Sequence, residues 1–265
     1  LCIEPPCTPE SCPNGTICAE SGRCVSDVGA VPAGPVPNCG GDTAWRCVGS
    51  AQECGRLVQF EPIEGPGYWN YPLNGETIAD QYRSFARNDL ILLIKHAAAK
   101  VQCLSQDWDF GNGEPLGLGD MSEADGAIPG TREGQPGHPA GTHVDGSDMD
   151  IAYYQMTSVD NRLRSICDHT SGGQDQYHCV SAPDNFDVWR TALFLGFLHD
   201  APHLRVIGVD GQAGAMIISA LEQLCAAGWI SNTACRGNTK GTVPVSHGGD
   251  LHQAAGGAVA SQIAT

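Results

Sequence analysis

Gly137-His138-Pro139-Ala140-Gly141-Thr142-His143-Val144-Asp145-Gly146-Ser147-Asp148-Met149-Asp150-Ile151-Ala152-Tyr153-Tyr154 is the stretch that decides how the chain is read. It opens as a loop rich in glycine and proline and ends in an expected strand, Met149 to Tyr154. Two histidines and three aspartates fall within it, beside glycines that let the backbone turn tightly. His143 and Asp150 are seven residues apart. A turn at Asp145-Gly146-Ser147 can bring both side chains to one point. In an extended strand Asp148 and Asp150 share a face, which leaves Asp148 for support.

A second imidazole-rich stretch, Ser246-His247-Gly248-Gly249-Asp250-Leu251-His252, lies about a hundred residues later. Zinc favours imidazole, carboxylate and thiolate in a tetrahedron, and catalytic sites keep one position for water. His143, Asp150 and His252 supply two nitrogens and one oxygen, so the two stretches are expected to meet around one zinc ion. His138 and Asp148 are expected beside that centre. The acidic run from Asp145 to Asp150 also suggests calcium, but it lacks the oxygen positions and terminal glutamate of an EF-hand loop.

The remaining chain reads as scaffold. Its 265 residues, 41% hydrophobic, can fill a core. A net charge of -16 argues against nucleic acid and against simple adhesion to anionic surfaces. No apolar run approaches the roughly 20 residues of a membrane span. Leu1 in place of an initiator methionine reads as a mature or trimmed form. Thirteen cysteines point to an oxidising compartment, so the protein is expected to be secreted, periplasmic or extracellular. Eight of them lie in the first 54 residues. Their spacings five and six apart lack the close CxxC pairs of a structural zinc module and favour disulfides.

Residues 1–30 are expected to form a small disulfide-rich module, 31–38 a Pro-rich linker and 39–265 the main domain around the zinc. In the last of these, Asn88 is expected to cap a helix whose buried face carries Leu90, Ile94, Ala97, Ala98 and Val101. Leu116 to Met121 suggests a strand, and Ser122 to Thr142 a long functional loop. Asp184 or Asn185 is expected to cap a buried helix, Val188 to Leu198. Leu204 to Val209 suggests a strand, Gly214 to Ala227 a helix ended by Gly228, and Val243 to Val245 a last strand. Cys167 with Cys179, and Cys225 with Cys235, suit local disulfides. Without a regular strand–helix alternation the expected class is α+β, a small antiparallel sheet packed with helices around the zinc.

Several blocks resemble a known family. They are Asp89 to Ile94, Gly119-Asp120-Met121, His143-x2-Gly146-x-Asp148-x-Asp150-Ile151, Leu204 to Val209 running to Leu224-Cys225, and His247-x4-His252. In that order they resemble the zinc peptidases of lysostaphin, D-alanyl-D-alanine carboxypeptidase and hedgehog type, and within these the penicillin-insensitive murein endopeptidases. The resemblance covers roughly residues 60 to 255 and makes 39–265 a zinc peptidase-like domain. It implies that His143, Asp150 and His252 hold zinc, that His247 lines the site as base or transition-state stabiliser, and that the substrates are peptidoglycan peptides cut after a D-amino acid. Asp250 stands where the family has a further histidine, and Ala140 where it has another three residues before the first ligand. Asp250 can serve as a base but cannot offer an imidazolium to an oxyanion. A D,D-carboxypeptidase, a non-catalytic zinc-containing cell-wall binding protein and a metal-free secreted adhesin are the rival readings.

Overall fold

The computed structural model describes residues 7–8, 11–12, 16–18, 24–40, 46–199, 201, 204, 207–230 and 235. His247, Asp250 and His252, with the expected strand Val243 to Val245, lie outside the described residues.

The elements run β1 (Thr16–Cys18), β2 (Cys24–Ser26), α1 (Ala51–Cys54), β3 (Leu57–Gln59), β4 (Glu64–Gly65), β5 (Tyr68–Trp69), β6 (Phe85–Arg87), α2 (Asn88–Leu104), β7 (Leu116–Gly117), β8 (Thr170–Ser171), β9 (Gln174–Asp175), α3 (Val188–Leu198) and α4 (Gly211–Ala226). The class is mixed α and β with small sheets, as expected. A single antiparallel sheet is not what forms. β1–β2, β3–β6 and β8–β9 are separate antiparallel pairs, and β4-β5-β7 is a mixed sheet whose β5 and β7 run parallel.

The helices make the core because their apolar residues face one another. α2 buries Ile91, Leu93, Ile94, Ala97, Ala98, Val101 and Leu104, a wider arc than expected, with Leu90 only half-buried. α3 is buried along its whole length and packs between α2 and α4. Each fully buried Leu, Ile or Phe contributes about 1.5–3 kcal/mol relative to exposure. Arg190 is the exception that the apolar pattern of α3 conceals. It is 5% exposed and donates to Asp187 Oδ2 at 2.6 Å, to Phe110 O at 2.7 Å and to Ser105 Oγ at 3.0 Å.

Helix starts differ from expectation for local reasons. Arg87, still extended in β6, stands at the N-cap of α2 without a side-chain cap bond, and Asn88 is already helical. Asp187, not Asp184 or Asn185, caps α3 by accepting from the Arg190 amide at 3.0 Å. Asn185 instead accepts from the Thr157 amide at 3.0 Å. Asp210 caps α4, which begins at Gly211, three residues before the expected start. Gly228, at φ +78°, follows its last turn as expected. Leu204 and residues 207–209 are not in a strand.

Five disulfides join described residues: Cys7–Cys18, Cys39–Cys103, Cys47–Cys54, Cys167–Cys179 and Cys225–Cys235. The last two are the pairs expected. Cys7, Cys12 and Cys18 stand close enough to hold a metal, but all three are disulfide-bonded, which removes the thiolates a zinc module needs. β2 lies against α4, and Val28 and Val31 pack on the core, so the N-terminal module rests on the main domain. Among the described residues no helix is long and apolar enough to cross a membrane.

Candidate metal centre

The expected strand Met149 to Tyr154 is instead extended chain with one antiparallel bridge, Ile151 to Leu118. The expected strand Leu116 to Met121 is likewise regular only over β7. Their pairing is short but sets the site. Asp150 donates its amide to Asp120 O and accepts from the Gly119 amide at its carbonyl, both at 2.8 Å. That exchange puts two aspartates thirty residues apart in sequence beside each other.

The preceding loop is fixed by its turns. Asp145 and Gly146 both take positive φ, +55° and +65°, and the Ser147 amide donates to Val144 O at 3.2 Å. This is the mirror-image turn that Asp-Gly favours. A Cβ at Gly146 would stand 2.6 Å from the Ala86 Cα, so only glycine lets the turn lie on β6. The Arg87 amide donates to Gly146 O at 3.0 Å and the Asp145 amide to Gly126 O at 2.9 Å. The long loop before it is braced as well. Glu123, 7% exposed, accepts from the Arg132 amide at 2.9 Å, and the Gly137 amide donates to Pro129 O at 2.9 Å.

His138, His143 and Asp150 thereby converge, with one donor atom of each within 4.8 Å of the others. His143 Nε2 lies 3.4 Å from Asp150 Oδ1, and the two imidazole centroids are 4.2 Å apart. His138 Nε2 is 2.8 Å from Asp120 Oδ2 and 3.9 Å from Asp150 Oδ2. Asp148 takes a supporting place, accepting from the His143 amide at 3.0 Å. His143, at φ +53°, is held in a conformation that only a few per cent of non-glycine residues adopt.

Electrostatics favour a cation here. Burial pulls the His143 imidazole down, but its bond to Asp150 and the fields of Asp150, Asp148 and Asp120 outweigh this and raise it above its ordinary value. Two imidazoles among three carboxylates suit a divalent ion of nitrogen and oxygen preference. Ligands about 2.0–2.1 Å from zinc in a tetrahedron stand roughly 3.3–3.4 Å apart. The 3.4 Å between His143 Nε2 and Asp150 Oδ1 fits that edge.

Sequence reasoning placed His143, Asp150, His138 and Asp148 in this region but missed Asp120 and Arg83 as site residues. Arg83 is 9% exposed and pairs with Asp120, Nη1 to Oδ2, at 3.4 Å. The only trace of Asp120 was its place in the Gly119-Asp120-Met121 block. No protein-family model, no curated protein and no solved structure matches this chain.

Proposed function

We propose that this chain is a zinc peptidase that hydrolyses amide bonds in peptidoglycan peptides, acting outside the cytoplasm. The reading rests on the resemblance of its motifs to the penicillin-insensitive murein endopeptidases. The observation that carries it is the zinc-like separation of His143 Nε2 and Asp150 Oδ1. His252 is the third ligand that the resemblance implies. Zinc, when bound, supplies a Lewis acid and brings the pKa of a bound water near 7.

His138 has a different part. Asp120 holds its Nε2, and Arg83 holds Asp120, so the ring is oriented beside the ligand pair. With Nε2 given to Asp120, a ring so fixed can donate from Nδ1, in its doubly protonated form, to the oxygen that gains charge as the amide is attacked. It stands in for the family histidine that Ala140 replaces. His247 and Asp250 carry the proton to the leaving amine.

The test is purified murein digested with zinc-loaded protein. New amine groups, loss of cross-linked muropeptides and one zinc per chain are expected. Release of terminal D-Ala from uncross-linked pentapeptide alone assigns a D,D-carboxypeptidase. Zinc at stoichiometry with neither product assigns a binding protein, and no zinc overturns the reading.

A further inference from the structure

Beyond the metal ligands, the segment after them carries a prepared cation. Asn161 and Arg162 lie against β7, where the Gly117 amide donates to Asn161 O at 2.9 Å. A Cβ at Gly117 would stand 3.0 Å from Arg162 Cα. A Cβ at Gly119 would meet Leu163 Cδ1 at 2.4 Å and Asp150 Cβ at 2.9 Å. The two glycines thus let this segment run along the strand, with Leu163 and the candidate ligand Asp150 both lying over Gly119. Leu163 remains 41% exposed on that rim.

The Arg162 guanidinium is laid over two rings, 4.6 Å from the Trp69 centroid and 5.0 Å from that of Tyr71. Tyr71 is itself fixed, its hydroxyl accepting from the Leu163 amide at 2.9 Å. Asp160 Oδ2 takes Arg162 Nε at 3.2 Å, and its other oxygen pairs with Arg164. One carboxylate thus serves two guanidinium groups, leaving a surplus positive charge on a chain of net charge -16. Among the described residues the two terminal nitrogens of Arg162 carry no hydrogen bond, its contact with Asp160 is made through Nε, and its side chain is 46% exposed. Stacking fixes the plane of a guanidinium while leaving its forked edge open, the geometry that takes a carboxylate through two bonds.

We propose that Arg162, seated on Trp69 and Tyr71, binds a substrate carboxylate and sets which peptides the metal centre accepts. This specificity role rests on the peptidase reading. Its distance from the centre follows from the sheet. Trp69 pairs with Gly117 on one edge of the strand, and Asp150 lies beside Gly119 on the other. With strands about 4.8 Å apart and a rise of about 3.3 Å per residue, the two positions are roughly 10–12 Å apart. That is about three residues of extended peptide. The carboxylate therefore stands about three residues from the scissile bond, a spacing that the D-glutamyl α-carboxylate, three residues back in a D-Ala-diaminopimelate cross-link, would meet.

The experiment compares two synthetic D-Ala-diaminopimelate cross-linked peptides with zinc-loaded protein. One has a free D-glutamyl α-carboxylate at the third residue back, and the other is amidated there. Wild type is expected to cut the free acid with a KM at least 10-fold lower and a similar kcat. Arg162→Gln should erase the preference without changing bound zinc, Arg162→Lys should restore only part of it, and Trp69→Ala should weaken it with charge intact. If wild type cuts neither peptide, the peptidase reading fails, and titration calorimetry of the same pair decides the role of Arg162. Tighter binding of the acid that Arg162→Gln abolishes sustains it. Equal binding of acid and amide, no binding of the acid, or a preference that survives in Arg162→Gln overturns it. Should Arg162→Gln unfold, Arg162→Lys and Trp69→Ala give the same reading.

Discussion

Asp120→Asn is the substitution that most directly probes the candidate centre. It keeps size and removes one charge between a buried cation and an imidazole. Arg83 Nη1 lies 3.4 Å from Asp120 Oδ2, with side chains 10% and 14% exposed, so Arg83 is left without its counter-charge. Breaking such a pair costs about 3 kcal/mol, the lower end for buried ions because some exposure remains. At about 2–4 °C per kcal/mol the melting temperature falls by roughly 6–12 °C. The second loss is at His138, whose Nε2 is 2.8 Å from the same carboxylate. A hydrogen bond to a charged group is worth about 1.5–3 kcal/mol, or roughly 10- to 150-fold in turnover if His138 is oriented only in the transition state. Bound zinc should stay at one per chain. Calorimetric melting, metal analysis and murein hydrolysis on one preparation supply the three readings. Unchanged melting and turnover would show that Asp120 orients nothing. Complete loss of zinc would make His138 a ligand held in place by Asp120, not a donor beside the ligands.

Three further outcomes test the scaffold. Arg190→Met strands the Asp187 charge, which is 1% exposed, and takes donors from Phe110 O and Ser105 O; about 3–5 kcal/mol of stability should go, and a loss below about 1 kcal/mol in chemical denaturation contradicts the account. Burial lifts the Glu76 carboxyl above 4.5, although the amides of Leu73 and Arg83 pull it down. Its folded form therefore holds a proton more tightly than its unfolded form, so its contribution is full below pH 4.5 and is lost as pH rises through the raised value. Glu76→Gln should flatten that part of the stability profile, read as urea midpoints from acid to neutral pH. Cys39–Cys103 spans 64 residues and Cys47–Cys54 spans 7, so by loop entropy their removal should cost roughly 4 and roughly 2.5 kcal/mol. Paired Cys→Ser variants giving the reverse order would show that native-state contacts, not loop closure, set the difference.

What the sequence disclosed and what it hid divide along local and long-range lines. Val188 to Leu198 was legible because eleven residues that are nearly all apolar, between turn residues, favour a buried helix. The Asp-Gly turn at 145–146 was legible because its φ requirement is met by those two residue types. The cap of α2 was not, because Arg87 is held extended by pairing with Leu57, thirty residues back. Met149 to Tyr154 looked like a strand, but strand length depends on a partner, and β7 offers pairing only around Gly117 to Asp120. Asp120 was hidden for the same reason. Its place beside Asp150 is a consequence of register, and register leaves no spacing signal in a single sequence. Arg190 was hidden by its neighbours, since one arginine in an apolar helix becomes intelligible only with Asp187 one turn before it.

Whether this centre does chemistry turns on how many protein donors it has. His143 and Asp150 belong to either possible set, with His138 completing one and His252 the other. The proposed reading leaves His138 outside the ligand set, although a donor atom of its ring lies within 4.8 Å of those of His143 and Asp150. Its Nε2 is engaged by Asp120 at 2.8 Å, and an outer carboxylate of that kind would orient a ligating imidazole as well as a non-ligating one. If all four side chains bound, the tetrahedron would be closed, as in structural zinc sites, with no position for water. The expected result is that His138→Ala keeps one zinc per chain while turnover falls, whereas His143→Ala and His252→Ala both lose it. Metal analysis after dialysis against a weak chelator gives the count, and the visible spectrum of the cobalt form gives the number of ligands. Loss of zinc in His252→Ala and His138→Ala alike would mark a closed, non-catalytic site. Loss in His138→Ala alone would place the metal wholly on the 138–150 loop and leave the 247–252 stretch another task. These variants decide whether zinc-assisted hydrolysis is possible before any substrate is found, because an open coordination position is what hydrolysis requires.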